Sequence, residues 1–168
     1  MKPISEESIY SVASFAKNLT ADQLKDLYIR INEKQPHMYQ YFKNFISKSG
    51  TKETMALLPY IFLLLIRTYE YEYGELELID IATINDGDDE LFKVMKKAND
   101  MPSMKKVELE LAMKADQAPF IQFLESLIDG IKANKSQNAL LDKMGVKLGL
   151  YITMVILNSV VESNEKMV

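Results

Sequence analysis

Apolar side chains recur three or four positions apart along most of this 168-residue chain, and that spacing commits it to helices. Ser5 can cap a first helix that carries Ile9, Val12, Ala13 and Ala16 on one face. Thr20-Ala21-Asp22-Gln23 is a capping box, in which the threonine oxygen accepts a backbone N–H while Gln23 reaches back. The helix it opens sets Leu24, Leu27, Tyr28 and Ile31 in a single stripe. Pro36 blocks the turn before it, so it closes that helix and starts the next, where a missing N–H costs little. Met38, Tyr41, Phe42 and Phe45 form the inward face of the third helix. Ser49-Gly50 then stops it before a long apolar helix over about 51–72.

The same order of parts follows again. Asp88 or Asp89 is the expected cap of a helix with Leu91, Phe92, Val94 and Met95. Pro102-Ser103 introduces another, with Met104, Val107, Leu111 and Ala112 inward. Pro119 opens a helix carrying Phe120, Phe123, Leu124, Leu127 and Ile131. Ser136 caps the last one, whose seam is Leu140, Leu141, Met144, Leu148, Tyr151, Ile152 and Val155. The fold expected is all-α, a single-domain bundle of about eight helices.

The two halves also echo each other about 82 residues apart. Gln35-Pro36-His37-Met38-Tyr39-Gln40 aligns with Gln117-Ala118-Pro119-Phe120-Ile121-Gln122, and Ile46 meets Ile128. Shifting the register by one residue pairs Ala56-Leu57-Leu58 with Ala139-Leu140-Leu141. These matches favour two tandem four-helix pseudo-repeats, 1–84 and 85–168, packed as one compact domain about a pseudo-twofold axis. Convergent patterning is the competing explanation, because amphipathic helices align by chance. Between the halves, Tyr69 to Leu78 alternates with period two, which is a strand signal, and Gly74 allows a turn. No partner strand is visible, so helix through Tyr73 is expected, with 75–84 left as helix, loop or short strand.

Chemistry is sparse. Zero cysteines remove disulfides, thiolate metal sites and thiol nucleophiles. His37 is the single histidine, at the second position of a helix, without the partners that acid–base or di-iron chemistry needs. Asn85-Asp86-Gly87-Asp88-Asp89-Glu90 offers oxygen ligands but not the alternation of a calcium loop, and turn chemistry followed by a cap explains it. No metal, cofactor or catalytic residue is therefore assigned. A net charge of −4 gives no reason to expect nucleic acid, despite lysines at 93, 96, 97, 105 and 106. Met55 to Ile66 is apolar apart from the Tyr60 hydroxyl but spans only twelve residues, against the roughly 20 a bilayer requires. Without the apolar core of a signal peptide at its start, the chain is expected in the cytoplasm.

Tyrosine is the residue type that marks a surface. Tyr69, Tyr71 and Tyr73 cannot all point inward, because each step of two rotates about 200°. With Tyr39 they form the expected interaction surface. The function expected is a non-enzymatic protein–protein interaction or scaffold module, with a protein partner or a second copy as its target. The alternative is a binder of a small apolar ligand, in a cavity lined by Met38, Phe42, Met144 or Met154.

Overall fold

Caps and prolines divide the chain much as their chemistry dictates. The computed structural model describes the backbone of residues 1–49, 52–99, 104–133 and 143–165, and the side chains of 1–44, 59–97, 104–127 and 147–165. Among the described residues there are eight helices and no strand: α1 Glu6–Lys17, α2 Ala21–Lys34, α3 Pro36–Ser49, α4 Lys52–Tyr73, α5 Ile81–Asn99, α6 Met104–Ala115, α7 Ala118–Ala133 and α8 Lys143–Glu165. The all-α class is as expected. Phe45, Ile131, Leu140, Leu141, Met144 and the caps Ser103 and Ser136 lie outside the described side chains.

Local signals act where the sequence placed them. The Ser5 hydroxyl accepts the Ser8 N–H at 3.2 Å, and Thr20 with Gln23 closes both bonds of the capping box. Gln35 separates α2 from α3, and Pro36 is the first residue of α3. Gly74 ends α4 at φ 92°, a left-handed conformation that glycine adopts without strain. Pro59 sits inside α4, where it has no N–H for the helical ladder.

The start of α5 corrects the sequence reading. Asp80, not Asp88 or Asp89, is the residue at its head: its carboxylate accepts the Thr83 N–H at 2.7 Å and its carbonyl accepts the Ile84 N–H at 3.3 Å. The run 85–90 is therefore helical rather than a turn. Packing overrides its poor helix propensity. A Cβ on Gly87 would stand 2.5 Å from Ile156 Cγ1 and 2.9 Å from Ile156 Cδ1, so the glycine exists to let α8 approach. The boundary between 84 and 85 falls within α5.

The two most apolar long helices, α4 and α8, pack on each other. α1 lies on α4, while α5 and α6 lie on α8. Ile61 to Ile66 is buried at every position, so this stretch of α4 is surrounded on all faces. Phe42 of α3 stacks on Phe62 of α4, with ring centroids 4.2 Å apart. Each such side chain contributes about 1.5–3 kcal/mol by leaving water. Among the described residues no helix is long and apolar enough to cross a membrane.

The contact at Gly87 has a measurable sign. Gly87→Ala should destabilise the protein by about 1–2 kcal/mol, because overpacking outweighs the roughly 1 kcal/mol gain in helix propensity. With Ile156→Ala as the background, the same change should stabilise by about 1 kcal/mol. Urea unfolding of the four proteins measures both.

Candidate protein-binding surface

Two buried glutamines position the elements that carry the surface. Residues 1–5 and 74–80 lead into α1 and α5 without strand partners, yet Ile4, Leu76 and Ile79 are buried. Their backbone groups therefore need other partners. Gln35, 1% exposed, accepts the Ile79 N–H at 2.9 Å and donates to the carbonyls of Leu76 and Glu77 at 3.2 and 2.8 Å. Gln117, fully buried, accepts the Ile4 N–H at 2.7 Å and donates to Asn158 Oδ1 at 3.2 Å. Asn158 in turn accepts the Tyr69 hydroxyl at 2.6 Å and donates to the Ala115 carbonyl. Asp116, at φ 43°, makes the turn that delivers Gln117 to this network.

The expected tyrosine surface is not one surface. Tyr69 is fully buried, and its phenol is pushed well above the ordinary value by burial, so it stays protonated and donates to Asn158. Tyr73 is half-buried and donates to the Lys2 carbonyl. Tyr71 is 63% exposed. Tyr39 is half-buried on α3, close enough to Tyr28 to reinforce the upward shift that burial imposes on that phenol. The rotation of about 200° per two residues sends Tyr69 to the core and Tyr71 to solvent. Of the residues expected to line a ligand cavity, Met38 and Met154 are fully buried and Phe42 is engaged with Phe62. Met144 lies outside the described side chains.

A different aromatic face is open. Tyr10 is 62% exposed on α1, and its ring meets Phe123 of α7 edge-on, with centroids 6.0 Å apart. Beside this pair lies a cleft of about 360 Å³ between α1, α4 and α7, lined by Ala13, Ser14, Lys17, Tyr60, Leu64 and Leu127 together with the two rings. On the other side of Tyr10 a recess of about 130 Å³ reaches Glu6, Pro119 and Gln122. Sequence reasoning followed only the inward stripe of α1. A second stripe was legible: Tyr10, Ala13, Ser14 and Lys17 stand at i, i+3, i+4 and i+7, with two small residues between two long ones. Small residues in the middle of a stripe make a dent.

α1 is fixed from below by Glu72 of α4. Its carboxylate accepts the Ser5 N–H at 3.2 Å, the Ser5 hydroxyl at 2.9 Å and the Ser8 hydroxyl. The Ser8 bond, joined by those from Ser5, holds the Glu72 carboxyl below its ordinary value against the opposing effect of burial. An anion there also faces the positive end of the α1 dipole.

Other polar groups are engaged in structural pairs. Asp88 accepts the Tyr41 hydroxyl at 2.8 Å. Glu90 pairs with Lys114, and more loosely with Lys93 at 3.8 Å. Lys147 joins Glu108 at 2.5 Å and Glu125 at 3.4 Å, linking α8 to α6 and α7. His37 is half-buried at the second position of α3. Among the described residues no three His, Asp or Glu side chains converge where they could hold a metal ion. No family model, curated protein or solved structure matches the chain.

Gln117→Ala strands the Ile4 N–H and removes one of the two bonds that Asn158 Oδ1 accepts, and should cost about 2–4 kcal/mol. Asn158→Ala should cost a similar amount. The double variant should cost clearly less than the sum, since both remove the same bond, and denaturant unfolding measures that coupling. Glu72 gives a pH dependence. Its folded value is depressed, so its contribution is present above the ordinary glutamate range and lost as pH falls through the folded value. Glu72→Gln should therefore lower the unfolding midpoint at neutral pH and have no effect in acid, as a pH series of thermal melts will record.

Proposed function

We propose that the protein is a non-enzymatic helical interaction module that receives an amphipathic helix of a partner protein in the cleft between α1 and α7. The observation that carries this reading is the exposed Tyr10 ring set against the half-buried Phe123 beside an apolar concavity. A cleft walled by aromatic and aliphatic side chains is the usual seat of an apolar helix face. Tyrosine at such a site combines a large rigid ring with a polar tip, which makes it a frequent energetic anchor. Lys17 stands in the cleft and Glu6 in the recess beyond Tyr10. Opposite charges on the two sides of the ring would give the incoming helix a preferred direction.

The reading extends to the architecture: the chain is a duplicated four-helix unit whose halves exchange anchors. Ile4-Ser5 and Ile79-Asp80 both present a buried isoleucine N–H to a glutamine, followed by an N-cap oxygen that accepts the N–H three residues on. Gln35 at the end of α2 holds the leader of α5, and Gln117 at the end of α6 holds the leader of α1. α1 packs on α4 and α7, and α5 correspondingly on α8 and α3, although α5 also packs on α6. Such reciprocity is what a pseudo-twofold arrangement requires.

A photo-crosslinking residue at position 10 should capture a helix-bearing partner or a second copy, and the captured mass distinguishes the two. Against the captured partner, Tyr10→Ala should weaken binding about 30-fold while changing stability by less than about 1 kcal/mol, since the ring is exposed. Equal capture from position 96, on the exposed side of α5, would remove the reading.

A further inference from the structure

We propose that a second cleft, between α2 and α4, binds a small organic carboxylate with an apolar body. It has a volume of about 170 Å³ and contains Arg30, Lys34, Arg67 and Glu70 over a floor of Leu27, Ile31 and Ile66. Three cations against Glu70 in the lining and Glu75 paired to Lys34 from outside it leave a formal charge of 3 − 2 = +1, in a chain whose net charge is −4. That concentration is local and needs a cause.

Pairing leaves Arg30 and part of the Arg67 fork uncommitted. Lys34 reaches out to Glu75, beyond the lining. Arg67 commits one nitrogen, Nη1, to Glu70, and a guanidinium has five donors in a fixed fork. Arg30, exposed at the edge of the concavity, forms no ion pair among the described residues. Arg30 is thus the one lining cation without a counter-ion among the described residues, and an incoming anion would supply one. The rest of the lining is matched to an apolar body. An arginine fork recognises a planar carboxylate through paired bonds. A 150 Å³ apolar cavity accommodates a benzene ring, so a volume near 170 Å³ suits a ring or short branched chain attached to the anionic head.

The test uses the full chain, labelled for NMR and titrated with sodium benzoate, benzyl alcohol and inorganic phosphate. Benzoate should saturate and move amide signals clustered in residues 27–35 and 66–70. Benzyl alcohol keeps the ring and loses the charge, and phosphate keeps charge and loses the ring, so each should bind at least about ten-fold more weakly. Arg30→Gln, at an exposed and unpaired position, should leave the thermal midpoint unchanged and weaken benzoate about ten-fold. The proposal falls if benzoate leaves those signals in place, if Arg30→Gln binds it as tightly as the parent, or if either comparator matches it. None of those results would bear on the cleft at Tyr10, which shares no residue with this one.

Discussion

The fold depends on backbone groups that no neighbouring backbone satisfies. In each leader a buried isoleucine must enter the core in extended form, and an unpaired buried amide costs on the order of 1–3 kcal/mol. A second strand would remove that cost, but among the described residues there is none. Gln35 and Gln117 substitute for the strand, each amide offering an acceptor and a donor at the required spacing. Because these bonds fix Ile4 and Ile79, they also fix where α1 and α5 begin. The direction of every side chain on those helices follows, including Tyr10.

Much of this was legible because local chemistry and global packing agree. Ser5, the Thr20–Gln23 box, Pro36 and Gly74 act as helix punctuation in isolation and do the same in the fold. The stop of α4 at Tyr73 and the extended segment after it follow from Gly74 and the alternating pattern. The start of α5 was not legible, because Asn85, Asp86, Gly87 and Asp88 carry a strong turn signal. What overrides it is a contact between residues 69 positions apart, Gly87 and Ile156. The tyrosine triplet misled for a related reason: helix geometry says one member must differ from its neighbours, but only Asn158 decides that Tyr69 is the one inside. The cleft at Tyr10 was half-legible, since its stripe on α1 is visible while its α7 wall is not.

On the proposed duplication, the misplaced start has a numerical explanation. Ile4 and Ile79 are 75 positions apart, and Gln35 and Gln117 are 82 apart. The difference, 82 − 75 = 7, equals the difference in length between α5 with 19 residues and α1 with 12. Seven residues are close to two helical turns, so the longer helix keeps the same face inward over its whole length. A register of 82 therefore aligns α2 with α6 and α3 with α7, and sets Ser5 against Gly87, inside α5. A cap sought near there is sought two turns late.

Those two turns also bear on where a binding surface can form. α1 runs antiparallel to α4: Ser5 and Ser8 meet Glu72, and Lys17 lies with Tyr60 and Leu64 around one cleft. At 1.5 Å per residue α1 is about 18 Å long and α4 about 33 Å, so α1 stops near Tyr60 with roughly a third of α4 still ahead of it. α5 and α8, at about 28 and 35 Å, are far better matched. The cleft lined by Lys17, Tyr60 and Leu64 opens beside the C-terminal end of α1. On the proposed duplication, the difference in length between α1 and α5 thus falls where Tyr10 meets Phe123. On the proposed reading, a duplicated fold would gain a place for a partner helix by lacking two turns of its own.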